Sequence, residues 1–219
     1  YRGLLRVARR DNGIRVYAAC DHTTAAAGPA ARLDALVDVA VRKYAPLPAA
    51  GVRQLVGYLR YGVPQWSAGC QAALARARER LAHSRVDGVD WYWPADERPI
   101  SARHAPIDRV RLLAPFDPVV WDRKRFAMFW GWGYRFEAYT PAPKRKLGYY
   151  ALPLLWRDQV IGWGNVAMKN EALVCKFGFV SGLAPAEPAF NRGLEREIED
   201  MRMFLLTVNG ASAAKSRLK

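Results

Sequence analysis

The sequence predicts an α+β fold with helices bracketed by hairpins in the first half, short antiparallel strands in the second, and a closing helix. Three observations carry this reading. Hairpin dipeptides recur at Asn12-Gly13 and Asp87-Gly88, each between extended runs. Between them, apolar residues recur three and four positions apart, the helical period. Beyond residue 107 the chain reads as strands, with tight turns at Arg157-Asp158 and Asn170-Glu171.

The first element spans residues 4–17, LLRVARRDNGIRVY. Asn-Gly supplies the two positive-φ positions of a type I′ turn, and Leu5, Val7, Ile14 and Val16 are expected on one face with Arg6 and Arg15 on the other. A lone hairpin is not stable in water, so residues 1–22 are expected to be the wing of a preceding winged helix, the chain starting inside a domain. A small-residue linker at 23–29 leads to a helix from Ala30 with Leu33, Leu36, Val37 and Ala40 as its stripe, stopped by Tyr44-Ala45-Pro46. A second helix from about Pro48 carries Val52, Leu55, Val56 and Leu59. A third is expected over 67–83, with Leu74, Ala77 and Leu81 on one side and Arg76, Arg80 and His83 on the other. The Asp87-Gly88 hairpin then completes the order of a winged helix-turn-helix unit over 30–94, and the repeated hairpin signal predicts two such units in tandem.

Residues 94–106 are polar and proline-bearing and read as a linker. Strands are expected at 110–114, 134–139, 149–156, 159–168 and 172–180, forming a small antiparallel β-barrel over 107–209. A helix over 122–129 interrupts it, and an amphipathic helix from Pro188 to about Val208 closes it. Residues 210–219 are expected to be a frayed basic tail.

At 219 residues the chain is long enough for one large domain or two small ones, each with an ordinary hydrophobic core. Its net charge is +14, and the halves 1–110 and 111–219 each carry 17 Lys+Arg against 10 Asp+Glu. That balance points to a polyanion as partner and to a binding surface extending over both halves. No apolar run approaches the roughly 20 residues that span a bilayer, so no membrane partner is expected and a cytoplasmic, nucleoid-associated location is. Cys20, Cys70 and Cys175 lack the pairing or spacing of a disulfide framework or zinc site, and read as buried small hydrophobes. His22, His83 and His104 lack metal-ligand spacing, and no glycine-rich phosphate loop is present, so neither metal nor cofactor is expected.

Arg76, Arg80 and His83 are the first candidate DNA contacts, since guanidinium groups pair with phosphates and with the major-groove edge of guanine; a solvated helix face also fits the stripe. Lys144, Arg145 and Lys146, between Pro143 and Gly148-Tyr149-Tyr150, are the second, with a charged turn as the alternative. Trp121, Phe126, Phe129, Trp130, Trp132, Tyr134 and Phe136 crowd into sixteen positions and read mostly as core, with base stacking open to one or two. Asp117 and Asp122 could form an acid-base pair, but a turn at Asp117-Pro118 and a helix N-cap at Asp122 fit their spacing better.

The ordered run Leu113-Ala114-Pro115-Phe116-Asp117-Pro118, Trp121-Asp122-Arg123, Tyr134-Arg135-Phe136-Glu137, Tyr139-Thr140-Pro141, Lys144-Arg145 and Gly148-Tyr149-Tyr150 resembles the C-terminal signature of the winged-helix DNA glycosylases that act on alkylated bases and interstrand crosslinks. Leu152-Pro153-Leu154-Leu155 and Gly162 extend it, and Asp34-Ala35-Leu36-Val37, Arg42-Lys43-Tyr44-Ala45-Pro46 and Val86-Asp87-Gly88 are similar to that family's second winged helix. The resemblance implies tandem winged helices closed by a barrel, cradling duplex DNA and hydrolysing the glycosidic bond of an N7-alkylated purine; the expected partner is damaged double-stranded DNA, bound by a monomer. It also implies a catalytic triplet of Gln, a hydrophobic residue, then Gln or Asp. Gln54, Gln65, Gln71 and Gln159 are followed two places on by Val56, Ser67, Ala73 and Ile161, so none fits and no catalytic residue is assigned. The expectation is the DNA-binding portion of a repair glycosylase, inactive as this chain alone. The alternative is a non-enzymatic winged-helix transcriptional regulator whose barrel binds an effector.

Overall fold

The structure is a computed structural model describing residues 4–20, 27–169 and 172–216, with side chains of the last helix described through Leu206. The expected linker at 23–29 lies mostly outside the described residues, as do the Asn170-Glu171 turn, His22 and residues 217–219. The chain divides into two compact units between Arg98 and Pro99, within the stretch whose prolines suggested a linker.

The first unit opens on strands β1 (Leu5–Asp11) and β2 (Ile14–Ala19), joined by Asn12 and Gly13 at φ of 53° and 83°. The hairpin is where expected, but its faces are not. Val7 pairs with Tyr17 and Arg9 with Val16, so a register shift at Ala8 separates the two pairs. Because strand faces alternate with period two, one extra residue places Leu5 and Val7 with Tyr17 on one face, and Ile14 and Val16 on the other. Leu5, Val7, Ile14 and Tyr17 are all exposed.

Helices α1 (Pro29–Tyr44), α2 (Ala49–Gly62) and α3 (Cys70–Arg80) follow, with strand β3 (Leu47–Pro48) between the first two and a 3-10 turn, Pro64–Gly69, before the third. Strands β4 (Ala82–Val86) and β5 (Val89–Trp93) turn at Asp87 and Gly88, with φ of 49° and 77°, and form a three-stranded antiparallel sheet in the order β3-β5-β4. Of the expected stripe residues, Leu33, Val37, Val52, Leu55, Val56, Leu74, Ala77 and Leu81 are buried and Leu36, Ala40 and Leu59 are half-buried, while Val41 of α1 and Ala73 of α3 join the core. Burying each of the larger of these side chains contributes about 1.5–3 kcal/mol.

The third helix is shorter than its expected span of 67–83. Pro64 opens a 3-10 turn, and the backbone becomes extended at Leu81. His83 therefore lies in β4, paired across the ladder with Tyr92.

In the second unit, strands β6 (Val110–Leu112), β7 (Ala151–Trp156), β8 (Gln159–Lys169) and β9 (Ala172–Phe179) form one antiparallel sheet in sequence order. Among the described residues no ladder joins β9 to β6, so the sheet is open rather than a closed barrel. Helix α4 (Arg123–Trp130) packs on one part of it, and helix α5 (Pro188–Ser216) covers its β6 edge. The Glu197 carboxylate of α5 accepts the Leu112 N–H at 2.8 Å, satisfying a backbone donor that an edge strand leaves unpaired. The backbone of α5 continues to Ser216, past the end expected near Val208 and through most of the stretch expected to fray.

Two apolar clusters hold the second unit. Leu113, Val120, Phe126, Tyr134 and Val160 form one, with Trp130, Trp132 and Phe136 against it. Val110, Leu154, Trp156 and Phe190 form the other, beneath α5. The aromatic crowd is thus largely core, and its polar edges are satisfied: Trp130 donates to the Asp158 carbonyl and Trp132 to that of Val160. Both aspartates serve the backbone. Asp122 Oδ1 accepts from the N–H groups of Lys124 and Arg125 at the start of α4, and Asp117 Oδ1 accepts from Val119 N–H in a turn. Of the thiols, only Cys70 is buried, while Cys20 and Cys175 are half-buried; all three are free.

Residues 134–139, expected as a strand, make no ladder. Their bonds run through side chains instead: Tyr134 donates its hydroxyl to the Ala151 carbonyl, and buried Glu137 accepts from the backbone opposite.

Candidate nucleic-acid interface

In the second unit the candidate site is built around Glu137, which is 3% exposed. Its Oε2 accepts three consecutive backbone N–H groups, from Lys146 at 2.8 Å, Leu147 at 2.7 Å and Gly148 at 3.3 Å. Burial by itself would push the carboxyl's pKa up, but these three donors, with the charge of Arg135, hold it below the usual glutamate value. An ionised carboxylate therefore fixes the loop that carries Lys144, Arg145 and Lys146. Arg145 adds a bond from its Nε to the Thr140 carbonyl at 2.8 Å, and its guanidinium lies 4.8 Å from the Tyr149 ring centroid.

A second clasp comes from the sheet. Asn165 of β8 donates its amide to the Leu147 carbonyl at 2.8 Å. Gly148, at φ of 123°, passes so close that a Cβ there would sit 2.3 Å from Asn165 Oδ1. Further along β8 and β9, Trp163 pairs with Gly178 and Phe177 with Gly164, each aromatic ring covering the glycine opposite. A Cβ on Gly178 would lie 2.4 Å from the Trp163 ring.

Loop and sheet together enclose an open groove of about 490 Å³, lined by Arg145, Lys146, Trp163, Asn165, Lys176 and Phe177 among others. Cations beside aromatic rings suit a polyanion whose bases also offer apolar faces. Of the three expected cations the structure brings Arg145 and Lys146 to this groove and leaves Lys144 exposed in the short 3-10 turn beside it. Lys176, Glu137 and Asn165 were not singled out as contacts or supports. An isolated carboxylate or amide gives no local signal, and Lys176 is recruited only through the β8–β9 register.

In the first unit, Arg76 and Arg80 lie together but face α1. Arg76 holds Asp34 through two bonds of 2.8 and 2.9 Å, and Arg80 reaches Asp38 at 2.7 Å. The hydrogen bond from Arg76, outweighing the cost of burial and helped by the charge of Arg80, keeps the Asp34 carboxyl below its usual range. His83, off the helix, stacks on Tyr92 with ring centroids 5.4 Å apart. Arg78 is exposed on α3. No helix among the described residues is long and apolar enough to cross a membrane, and no group of His, Cys, Asp or Glu among them could hold a metal ion.

An α+β protein of strongly basic charge, carrying a cationic groove beside the Trp163 ring, has the surface of a nucleic-acid-binding protein. The sequence of residues 1–204 matches the AlkZ-like DNA glycosylase family, and the chain belongs to that family. Its function class is accordingly that of the DNA repair glycosylases. No solved structure is significantly similar to it.

Proposed function

We propose that this chain is the DNA-holding portion of a repair glycosylase that excises N7-alkylated purines and unhooks interstrand crosslinks, acting as a monomer on damaged duplex. The observation that carries this reading is the groove formed by Arg145, Lys146 and Lys176 beside Trp163, in a member of a DNA glycosylase family. Residues 29–93 support it from the other unit. The order α1, β3, α2, α3 and then the β4–β5 hairpin, with strands in the order β3-β5-β4, reads as a winged helix-turn-helix whose α3 would enter a groove and whose hairpin would touch the flanking backbone.

The chemistry asks little of a general acid. A purine alkylated at N7 already carries positive charge and leaves readily, so the protein must mainly place a water and stabilise an oxocarbenium-like sugar. The glutamine triplet that the family resemblance assigns to that step is not formed by Gln54, Gln65, Gln71 or Gln159, so this reading gives the chain the binding task and not the hydrolysis.

The test is a competition between methylated and unmodified duplexes of random sequence, with assay of released base. Preference for methylated duplex, no preferred sequence and no free N7-methylguanine are expected. A preferred operator would favour the regulator instead, and release of N7-methylguanine would overturn the division of tasks.

A further inference from the structure

Beside the basic loop lies a group of aromatic rings whose inner member, Phe136, packs against the core while the others turn outward. Phe136 is its hub, half-buried, with Phe116 at 5.5 Å, Tyr139 at 6.2 Å and Tyr150 at 5.0 Å between ring centroids. The outer rings stand in water: Tyr139 is 93% exposed and Phe116 70%. Exposed aromatic surface of this density marks a place where something binds.

Support and charge are both built in. The segment bearing Phe136 and Tyr139 is tied to the segment bearing Tyr150 by Glu137, by the Arg145 bond to the Thr140 carbonyl, and by the Tyr134 hydroxyl on Ala151. Phe136, Tyr139 and Tyr150 therefore ride with the cations on backbone tied together, and Phe116 joins them through its ring contact with Phe136. With the outer rings largely exposed and Lys144 and Lys146 exposed on the adjoining loop, the surface complements a ligand that joins flat apolar faces to negative charge. Paired bases hide their faces in the helical stack, whereas unpaired ones present them.

We propose that Phe116, Tyr139 and Tyr150, arranged around Phe136, are a stacking platform for unpaired nucleotides, whose phosphates are held by the adjoining Lys144–Lys146 loop. This rests on the reading of the protein as DNA-binding and adds a preference for duplex opened at a lesion. Duplex approaching the basic groove would be retained where bases are extruded or mismatched, because only there can rings and cations engage together.

The experiment compares the protein with its Phe116→Ala, Tyr139→Ala double variant on three labelled DNAs: a fully paired duplex, the same duplex with a central bubble of unpaired thymidines, and that bubble built from abasic nucleotides. Both rings are mostly exposed, so their removal leaves the fold in place, and matching circular dichroism of the two proteins checks this. The bubble should bind more tightly than the paired duplex, and the variant should lose that advantage, roughly five- to 150-fold per ring that stacks. Binding to paired and abasic DNA should not change. Restoring aromatic rings at both positions, with Phe116→Trp and Tyr139→Phe, should recover the bubble preference.

An equal loss on abasic DNA, or no loss on the thymidine bubble, overturns the platform while leaving the duplex-binding reading intact. Failure of the unaltered protein to bind any of the three overturns both. Should the unaltered protein self-associate in sedimentation while the double variant does not, the occupant is a second copy of the chain and the proposal falls.

Discussion

The two units carry similar excesses of cations, but the candidate contacts in each are disposed of in opposite ways. In the first, Arg76 and Arg80 are paired with Asp34 and Asp38 one helix away, so their charge is spent inside the unit. In the second, the Glu137 carboxylate set against the basic loop takes backbone N–H groups rather than side chains, and Lys144 and Lys146 remain exposed. Net charge thus says little about where a polyanion would sit; what each carboxylate is bonded to says more. The loop is rigid because its counter-charge is buried under the backbone, and it stays cationic for the same reason.

The sharpest way to break this contrast is Glu137→Ala. It would leave three backbone donors without their acceptor at a buried site and is expected to cost about 3 kcal/mol, read as a lower urea midpoint with unchanged slope. A variant of parental stability would show that the loop needs no such clasp. Gly148→Ala attacks the same clasp from the other side. A Cβ there would collide with Asn165 at a φ that side chains avoid, so a loss of about 2 kcal/mol is expected, together with weaker DNA binding because the cations lose their fixed positions.

Charge removal compares the units directly. Lys146→Ala with Lys176→Ala should reduce the slope of log affinity against log salt by about 0.9 for each phosphate no longer neutralised. Arg76→Ala with Arg80→Ala should leave that slope nearly unchanged and lower stability only slightly, since these pairs are partly exposed. The reverse ranking of slopes would place the interface on α3.

The smallest effect is on acid stability. Glu137 has a depressed pKa when folded, so its contribution is complete above the ordinary glutamate value of about 4.3 and is lost as pH falls through the lower folded value. Glu137→Gln should therefore flatten the acid limb of stability against pH. A limb as steep as that of the unaltered protein would assign it to other carboxylates such as Asp34, whose pKa is lowered in the same sense.

Much of the fold was legible because its signals are local. Asn12-Gly13 and Asp87-Gly88 made their turns, and the cores of α1 and α2 followed their apolar period. Asp122 capped α4 as its position before a helix suggested. What failed had a tertiary cause. The bulge at Ala8 is a matter of pairing between strands and leaves no mark in either strand alone. Residues 134–139 alternate like a strand, yet Tyr134 and Glu137 direct their bonds through side chains to 146–151. Arg76 and Arg80 looked like a free stripe because Asp34 and Asp38 lie 42 residues away in sequence.

By itself, then, the sequence determined which segments turn, which coil, the overall excess of positive charge and the family signature, since each depends on neighbours along the chain. Only the tertiary structure decided which cations are spoken for and which are presented. Pairing a guanidinium with a distant carboxylate, or burying a glutamate beneath a loop, depends on proximity that folding alone creates.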